Sequence, residues 1–187
     1  MNFVEPIRDV RMIQTMKRTL RANPRNELLF VLGINSALRV SDLLRLQIED
    51  VLDESRSPRD AVVLREKKTG KTKRFPLNDS VKSALTRYLT VRSTASFQAP
   101  LFPSRRGGGA LTRKQAWSIM KEAGRKSGLK HIGTHSLRKT FGYHVYRRTN
   151  DLAIVQQLLG HSSSADTLRY IGITQEQLFD AYLDLNL

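Results

Sequence analysis

One stretch of this chain exchanges helical spacing for paired strands. Ala61-Val62-Val63-Leu64-Arg65 and Thr72-Lys73-Arg74-Phe75-Pro76-Leu77 read as two short strands around Lys67-Lys68-Thr69-Gly70-Lys71, whose glycine and polar residues suit a turn. The pattern predicts one antiparallel hairpin, at about 61–77, with a basic tip. Every other element is left to helices, so the expected fold class is α+β, mainly α: a helical domain with one small antiparallel β-sheet.

The helices announce themselves by period and by caps. Val10, Ile13, Lys17 and Leu20 fall at helical spacing, and Asn23-Pro24 supplies a cap and a first-turn proline for a buried helix through Leu28 to Leu32. Ser36 to Arg39 interrupts the apolar run. Val40 to Ile48 then reads as a further helix with Leu43, Leu44 and Leu46 inward, which puts Arg39 at its start. Leu52 to Asp60 is a polar loop. After the hairpin, Val81, Ala84, Leu85, Tyr88 and Leu89 make one helical face that ends near Val91, and Ser93 to Pro100 is a linker. Pro103 to Gly109 is a basic, glycine-rich loop; Thr112 caps a helix with Ala116, Trp117, Met120 and Ala123, whose end frays at Gly124 to Gly128. His135 begins a helix with Leu137, Phe141 and Val145. Asp151 caps another, carrying Leu152, Val155, Leu158 and Leu159 and stopped by Gly160. Thr174 and Gln177 form a capping-box pattern for a last helix that buries Leu178 and Tyr182. With 187 residues, 40% of them hydrophobic, and no internal repeat, the chain is expected to form one domain over 1–187.

Charge narrows the partner. A formal net charge of +15, from 32 Lys+Arg against 17 Asp+Glu, points to a polyanion, and nucleic acid leads. No run approaches the ~20 apolar residues of a membrane span, so no membrane partner is expected. The absence of cysteine excludes disulfides and thiolate metal sites, and Met1 to Pro6 lacks the features of a signal peptide. The cytoplasm, with nucleoid association, is the expected compartment.

Several residues could turn such binding into chemistry. Tyr170 lies in Thr167-Leu168-Arg169-Tyr170-Ile171, and a phenol, with a pKa near 10, attacks a phosphate only with help. It needs a base for its proton, cations for the equatorial oxygens and an acid for the leaving oxygen. An arginine fork at a helix start, as at Arg39, can grip two phosphate oxygens, with Asp42 three residues on to hold the guanidinium. A lysine on a hairpin tip can become an acid once partly desolvated, and position alone does not choose between Lys68 and Lys71. His135 and Arg138 share a helix face and can share a ligand. His161 follows Gly160 at a helix end. Singly, each has a plainer reading: a surface ion pair, a solvated charge run, a capping histidine, a half-buried tyrosine.

Order and spacing change those odds. Ala-Leu-Arg-Val-Ser-Asp-Leu at 37–43, Lys-Thr-Gly-Lys at 68–71 before Phe75-Pro76-Leu77, Leu101-Phe102-Pro103-Ser104, His-Ser-Leu-Arg at 135–138, Leu-Leu-Gly-His-Ser at 158–162 and Tyr170 together resemble the catalytic domain of tyrosine recombinases, the phage integrase family. The resemblance implies that Arg39 and Arg138 clamp the scissile phosphate, with Asp42 supporting the first arginine. It makes Lys68 the general acid, with Lys71 the alternative. His135 would take or orient the tyrosine proton, and His161 would hydrogen-bond the phosphate. Tyr170 would form a 3′-phosphotyrosyl bond as the 5′-hydroxyl leaves, with no ATP, cofactor or metal. Double-stranded DNA becomes the expected partner, contacted also by Lys67, Lys71, Lys73, Arg105, Arg106 and Lys139. A homotetramer on DNA is implied, with the segment 174–187 packed on its own domain or exchanged between protomers. Type IB topoisomerase-like strand relaxation, or a DNA-binding module that keeps the fold, are the alternatives. Family members usually carry an N-terminal helical domain that clamps DNA, whereas only Met1 to Asp9 precede the catalytic pattern; without a clamp, DNA affinity should be weak and steeply salt-dependent.

Overall fold

The computed structural model describes residues 4–93, 95–105, 107–173 and 183. In chain order its elements are α1 (Val10–Leu20), α2 (Pro24–Gly33), α3 (Val40–Leu43), α4 (Ile48–Val51), β1 (Ala61–Arg65), β2 (Thr72–Pro76), α5 (Asp79–Leu89), α6 (Arg113–Lys126), α7 (Thr134–Thr149), α8 (Leu152–Leu159) and α9 (Ser164–Ile171). The mainly helical architecture with, among the described residues, one two-stranded antiparallel sheet is the one expected. A lone hairpin is marginal in water, so it persists by packing one face on the helices.

Helix α2 is the hub, because its residues from Glu27 to Gly33 are all buried. It contacts α1, α5 and α7. Its start follows the sequence signals: Pro24 occupies the first turn and the Asn23 side chain accepts the Asn26 N–H. Against it pack Ile13, Met16 and Leu20 of α1 and Val81, Ala84, Leu85 and Tyr88 of α5, all buried. Each such side chain stabilises the fold by about 1.5–3 kcal/mol. The Tyr88 hydroxyl donates to Leu101 O at 2.8 Å, so its polar end is satisfied inside the core.

In the hairpin, Val62 pairs with Phe75 and Leu64 with Lys73. Side chains alternate along a strand, so these four residues share the inward face, and Val62 and Phe75 join the core. Lys73 is therefore carried inward by the register that buries Phe75.

Three local expectations are corrected. The helix expected from Val40 to Ile48 is instead two single turns, α3 and α4. Between them the chain straightens so that Leu46 O can accept the Leu101 N–H and Gln47 can bridge to Pro100. Helix α6 does not fray at Gly124 but runs to Lys126; Gly124 is buried where a Cβ would come within 2.8 Å of Ile132 Cβ, so the glycine makes room for a neighbour. Finally, α9 was not anticipated. Its cap, Ser163, accepts the Asp166 N–H, and Gly172 closes it at φ +80°. The helix expected from Thr174 lies outside the described residues.

A second, smaller cluster joins α7, α8 and α9: Ala37, Val155, Leu159 and Ile171 are buried there, with Phe141, Tyr143 and Tyr170 packed against them. Gly142 is its tightest point. A Cβ at this position would sit 2.8 Å from Ile171 Cγ2 and 3.1 Å from Leu159 Cδ1. Gly142→Val should therefore push α9 off α7 and destabilise the protein by about 1–3 kcal/mol. Urea unfolding would show this as a lower midpoint at unchanged slope, and an unshifted midpoint would mean that the helices yield freely there.

Candidate active site

A cleft of about 1590 Å³ opens on the face where the hairpin, α3, α6, α7 and α9 meet. Its lining includes Arg39, Lys68, His135, Arg138, His161 and Tyr170, which come from five separate parts of the chain. Lys67 and Lys139 line it as well, whereas Lys71 and Arg105 are exposed and stand outside the lining. Arg106 lies outside the described residues.

The floor is built around one unusual backbone conformation. Ala37 has φ +54°, a left-handed geometry that costs a non-glycine residue on the order of 1 kcal/mol. In that geometry its carbonyl accepts two cations, Arg138 Nη1 at 2.7 Å and Lys73 Nζ at 3.3 Å. Both then reach the end of α8, Arg138 Nη2 bonding Leu159 O and Lys73 Nζ bonding Leu158 O at 2.9 Å. Those are terminal carbonyls with no partner inside the helix, at its negative end, where cations belong. Arg138 is only 3% exposed, and with five N–H donors it keeps some free for a ligand after these bonds.

Asp42 does not take the role expected of it. Its Oδ1 accepts the backbone N–H of Lys67 at 2.8 Å, which ties the hairpin to α3, its ion-pair contact is Arg45 at 4.0 Å, and its charge also acts on Lys73 and Arg138. Glu66 pairs with Arg39 instead, Oε1 to Nη1 at 3.0 Å. That contact is an ion pair without hydrogen-bond alignment, and Arg39 Nη1 is a buried donor with no hydrogen-bond acceptor among the described residues. Burial pushes the Glu66 carboxyl up, but the Thr69 hydroxyl and Arg39 outweigh it and hold the group below its ordinary value. The spacing on α3 pointed to Asp42 because local pairs are visible in sequence, while Glu66 meets Arg39 only once the hairpin has folded back.

Lys73, expected as a DNA contact, points into the protein. Burial, and next the neighbouring Arg138, push its ammonium down to about 8. The signal was present in the sequence: Lys73 precedes the buried Phe75 by two residues and so shares its face.

Tyr170 projects from α9 beside His161, their rings edge to face with centroids 4.9 Å apart. Lys139 Nζ lies 5.4 Å from the tyrosine ring and also donates to Val4 O at 2.9 Å. Burial raises the phenol above its ordinary value, and Arg138 and Arg39 pull it back. The imidazoles of His135 and His161 are both held below the ordinary histidine value, by burial first and by Arg138 second. Thr167 donates its hydroxyl to Ser163 O at 2.9 Å, so the 3.2 Å contact between its oxygen and His161 Nδ1 requires the proton on that nitrogen. In the neutral ring Nε2 is then an acceptor. The N-terminal segment straps this assembly: Ile7 N–H donates to Thr140 Oγ1 at 2.8 Å, and Arg8 donates to Gly172 O at 3.0 Å, at the end of α9.

Sequence reasoning passed over Arg45, Arg113, Lys114 and Arg169, which also line the cleft and raise its positive charge. Periodicity identifies the apolar face of a helix but not which polar residue looks into a cleft. Among the described residues no cluster of His, Asp and Glu could hold a metal ion, and no helix is long and apolar enough to cross a membrane.

Comparison with known proteins places this geometry. The chain is 42% identical over 183 residues to the probable integrase/recombinase YoeC of Bacillus subtilis, covering 97% of each protein. It is 34% identical to the tyrosine recombinase XerA of Pyrococcus furiosus over 163 residues, 87% of this chain and 55% of that protein. It thus spans nearly all of the former and about half of the latter. Among solved structures, XerA recombinase superposes with a TM-score of 0.76 at 23% identity, covering 96% of this chain and 63% of that one. The XerH recombinase bound to a palindromic difH substrate also gives 0.76, at 22% identity and 97% and 53% coverage. These likenesses establish the shared fold, and the Phage integrase family model matches residues 8–177, so the chain belongs to the phage integrase family.

Proposed function

We propose that this protein is a site-specific DNA recombinase or integrase that cleaves and rejoins strands of double-stranded DNA through a 3′-phosphotyrosine intermediate, and that residues 1–187 are its catalytic domain. The observation that carries this reading is the convergence of Tyr170 with two arginines, two histidines and a hairpin lysine on one strongly basic cleft. Relatives named as recombinases and integrases, and XerH solved with difH, support it.

The chemistry follows from the geometry. The Tyr170 oxygen attacks phosphorus, a P–O bond to tyrosine forms, and the P–O bond to the 5′ oxygen breaks. Arg39, which lines the cleft, and Arg138, through its remaining N–H groups, take the non-bridging oxygens where charge builds. The phenolic proton passes to a neutral histidine; His135 lines the cleft, and His161 stands beside the ring with Nε2 free to accept. Lys68 lines the cleft and Lys71 does not, which favours Lys68 as the donor to the departing 5′ oxygen. Attack by another strand's 5′-hydroxyl on the phosphotyrosine reverses each step, so bond energy is retained without ATP. Exchange between two duplexes breaks four strands. We therefore read the working assembly as a homotetramer on DNA, with the segment 174–187 as the piece to exchange between protomers.

Three outcomes are expected. A nicked duplex that loses a short 5′-hydroxyl fragment on cleavage should trap a covalent adduct on a denaturing gel, in EDTA as in buffer. Tyr170→Phe should abolish it, and an adduct that persists in this variant would refute the assignment. Lys68→Ala should slow cleavage by roughly 10²–10⁴-fold, and replacing the leaving oxygen by sulfur should restore most of the rate, since a thiolate departs without a proton. Lys71→Ala should change little; if it alone needs the sulfur substrate, Lys71 is the acid. The third concerns pH. Both histidines sit below 6.5 in the free cleft, and a phosphate between them raises their pKa values, so binding takes up protons. DNA affinity should be highest at acid pH and fall as pH rises from below 6.5 to the values in the complex. His161→Gln should flatten that fall in a titration from pH 5.5 to 8.

A further inference from the structure

Two cations meet at the Ala37 carbonyl, and the proposed chemistry uses only one of them. Arg138 faces the cleft; Lys73 does not line it. We propose that Lys73 is a positioning residue, which fixes the loop carrying Arg39 against the turn carrying His161 and so sets the distance between two groups that hold the scissile phosphate. The inference rests on the recombinase reading above and adds to it a residue that never touches DNA.

The geometry runs through three segments. Lys73 Nζ, delivered by β2, bonds Ala37 O at 3.3 Å and Leu158 O at 2.9 Å. Ala37 lies two residues before Arg39, and Leu158 three before His161. Arg138 makes a parallel bridge from α7 to Ala37 O and Leu159 O, so the two side chains are adjacent rungs between the same two segments. One rung leaves a hinge about itself, whereas two rungs from different elements remove that rotation. The hairpin tip has its own ties, Lys67 N–H to Asp42 and Glu66 to Arg39, so Lys68 does not depend on Lys73 for its place.

Packing alone does not account for this lysine. Burial first, and then the neighbouring Arg138 and Arg39, depress its pKa, while Glu66 and Asp42 partly offset them. A methionine would fill the same space between Leu64 and the helices with no charge to bury. What a methionine lacks is the donor that joins the two carbonyls.

The test compares Lys73→Met, Lys73→Gln and Lys73→Arg with wild type, by adduct formation on the nicked duplex. Wild type must form the adduct; if it does not, the recombinase reading itself fails. Lys73→Met should bind DNA within about threefold of wild type but cleave about 100-fold more slowly, the scale of a misplacement near 1 Å. The sulfur-leaving substrate should not restore it, in contrast to Lys68→Ala, because the defect lies at the non-bridging oxygens. Lys73→Arg, which reaches both carbonyls, should cleave within about fivefold of wild type, and Lys73→Gln, shorter and uncharged, should resemble methionine. Wild-type cleavage by Lys73→Met overturns the proposal. Rescue of Lys73→Met by sulfur also overturns it, since that would place Lys73 in proton delivery. If Lys73→Met does not fold, the comparison of arginine with glutamine decides, and equal rates for the two reject the role.

Discussion

The left-handed turn at Ala37 is the constraint from which the cleft is built. A carbonyl aimed by ordinary backbone geometry would lie along the chain; at φ +54° it turns toward the helix ends and collects Arg138 and Lys73 together. Strain on the order of 1 kcal/mol is small against two charge-assisted hydrogen bonds, each contributing about 1.5–3 kcal/mol. The neighbouring Ser36 is buried and accepts the Leu38 N–H at 3.3 Å, so the turn is held on both sides. Arg39 follows directly and inherits a fixed direction. The tyrosine is held from the opposite side, by α9 packed on Gly142 and strapped by Arg8.

Such a concentration of positive charge should resist folding. Two unit charges about 5 Å apart repel by about 3 kcal/mol at an effective dielectric near 20. Two carboxylates offset this, each differently. Glu66 neutralises Arg39 directly, while Asp42 bonds a backbone N–H and contributes its field from beneath, with Oδ2 buried and without a hydrogen-bond partner. The arrangement leaves Arg39 with an electrostatic partner but an unfilled hydrogen-bonding donor. A phosphate offers both charge and aligned oxygens, and so it can compete with Glu66 for the same guanidinium.

The sequence disclosed what is local or periodic. The hairpin, the caps at Asn23, Thr112 and Asp151, and the stop at Gly160 are matters of a few neighbouring residues, and the folded chain has them where their chemistry puts them. Arg39, Lys68, His135, Arg138, His161 and Tyr170 also meet in one cleft, and order and spacing had tied these six to a known family. What escaped was whatever depends on register or on distant partners. Glu66 reaches Arg39 only through the hairpin's fold-back, and Asp42, expected to hold Arg39, instead accepts the Lys67 N–H and faces Arg45, three residues away on its other side. Lys73 shows the limit most clearly. Read as one of four lysines in a basic run it is solvated, and read by strand period from Phe75 it is inward; charge density drew attention away from the pleat. Helix α9 went unseen for a related reason, since eight residues with two buried positions give too weak a period.

Burial and positive charge act together on the protons of the cleft. Both push His135, His161 and Lys73 toward their neutral forms, and His161, fixed by Thr167 as the Nδ1–H tautomer, presents a lone pair rather than a donor at Nε2. The phenol is under opposed influences, raised by burial and lowered by the arginines. A phosphodiester entering the cleft adds the missing negative charge and reverses the first bias, drawing protons onto the imidazoles and lysines. It also makes the phenol harder to ionise. On the proposed mechanism, proton transfer from Tyr170 to a histidine is then favoured by the substrate itself: the imidazolium that forms is stabilised by the phosphate, and the phenolate is consumed as it appears. In a cleft so arranged, it is burial that keeps the tyrosine protonated, while the arginines that attract a phosphate ease its ionisation.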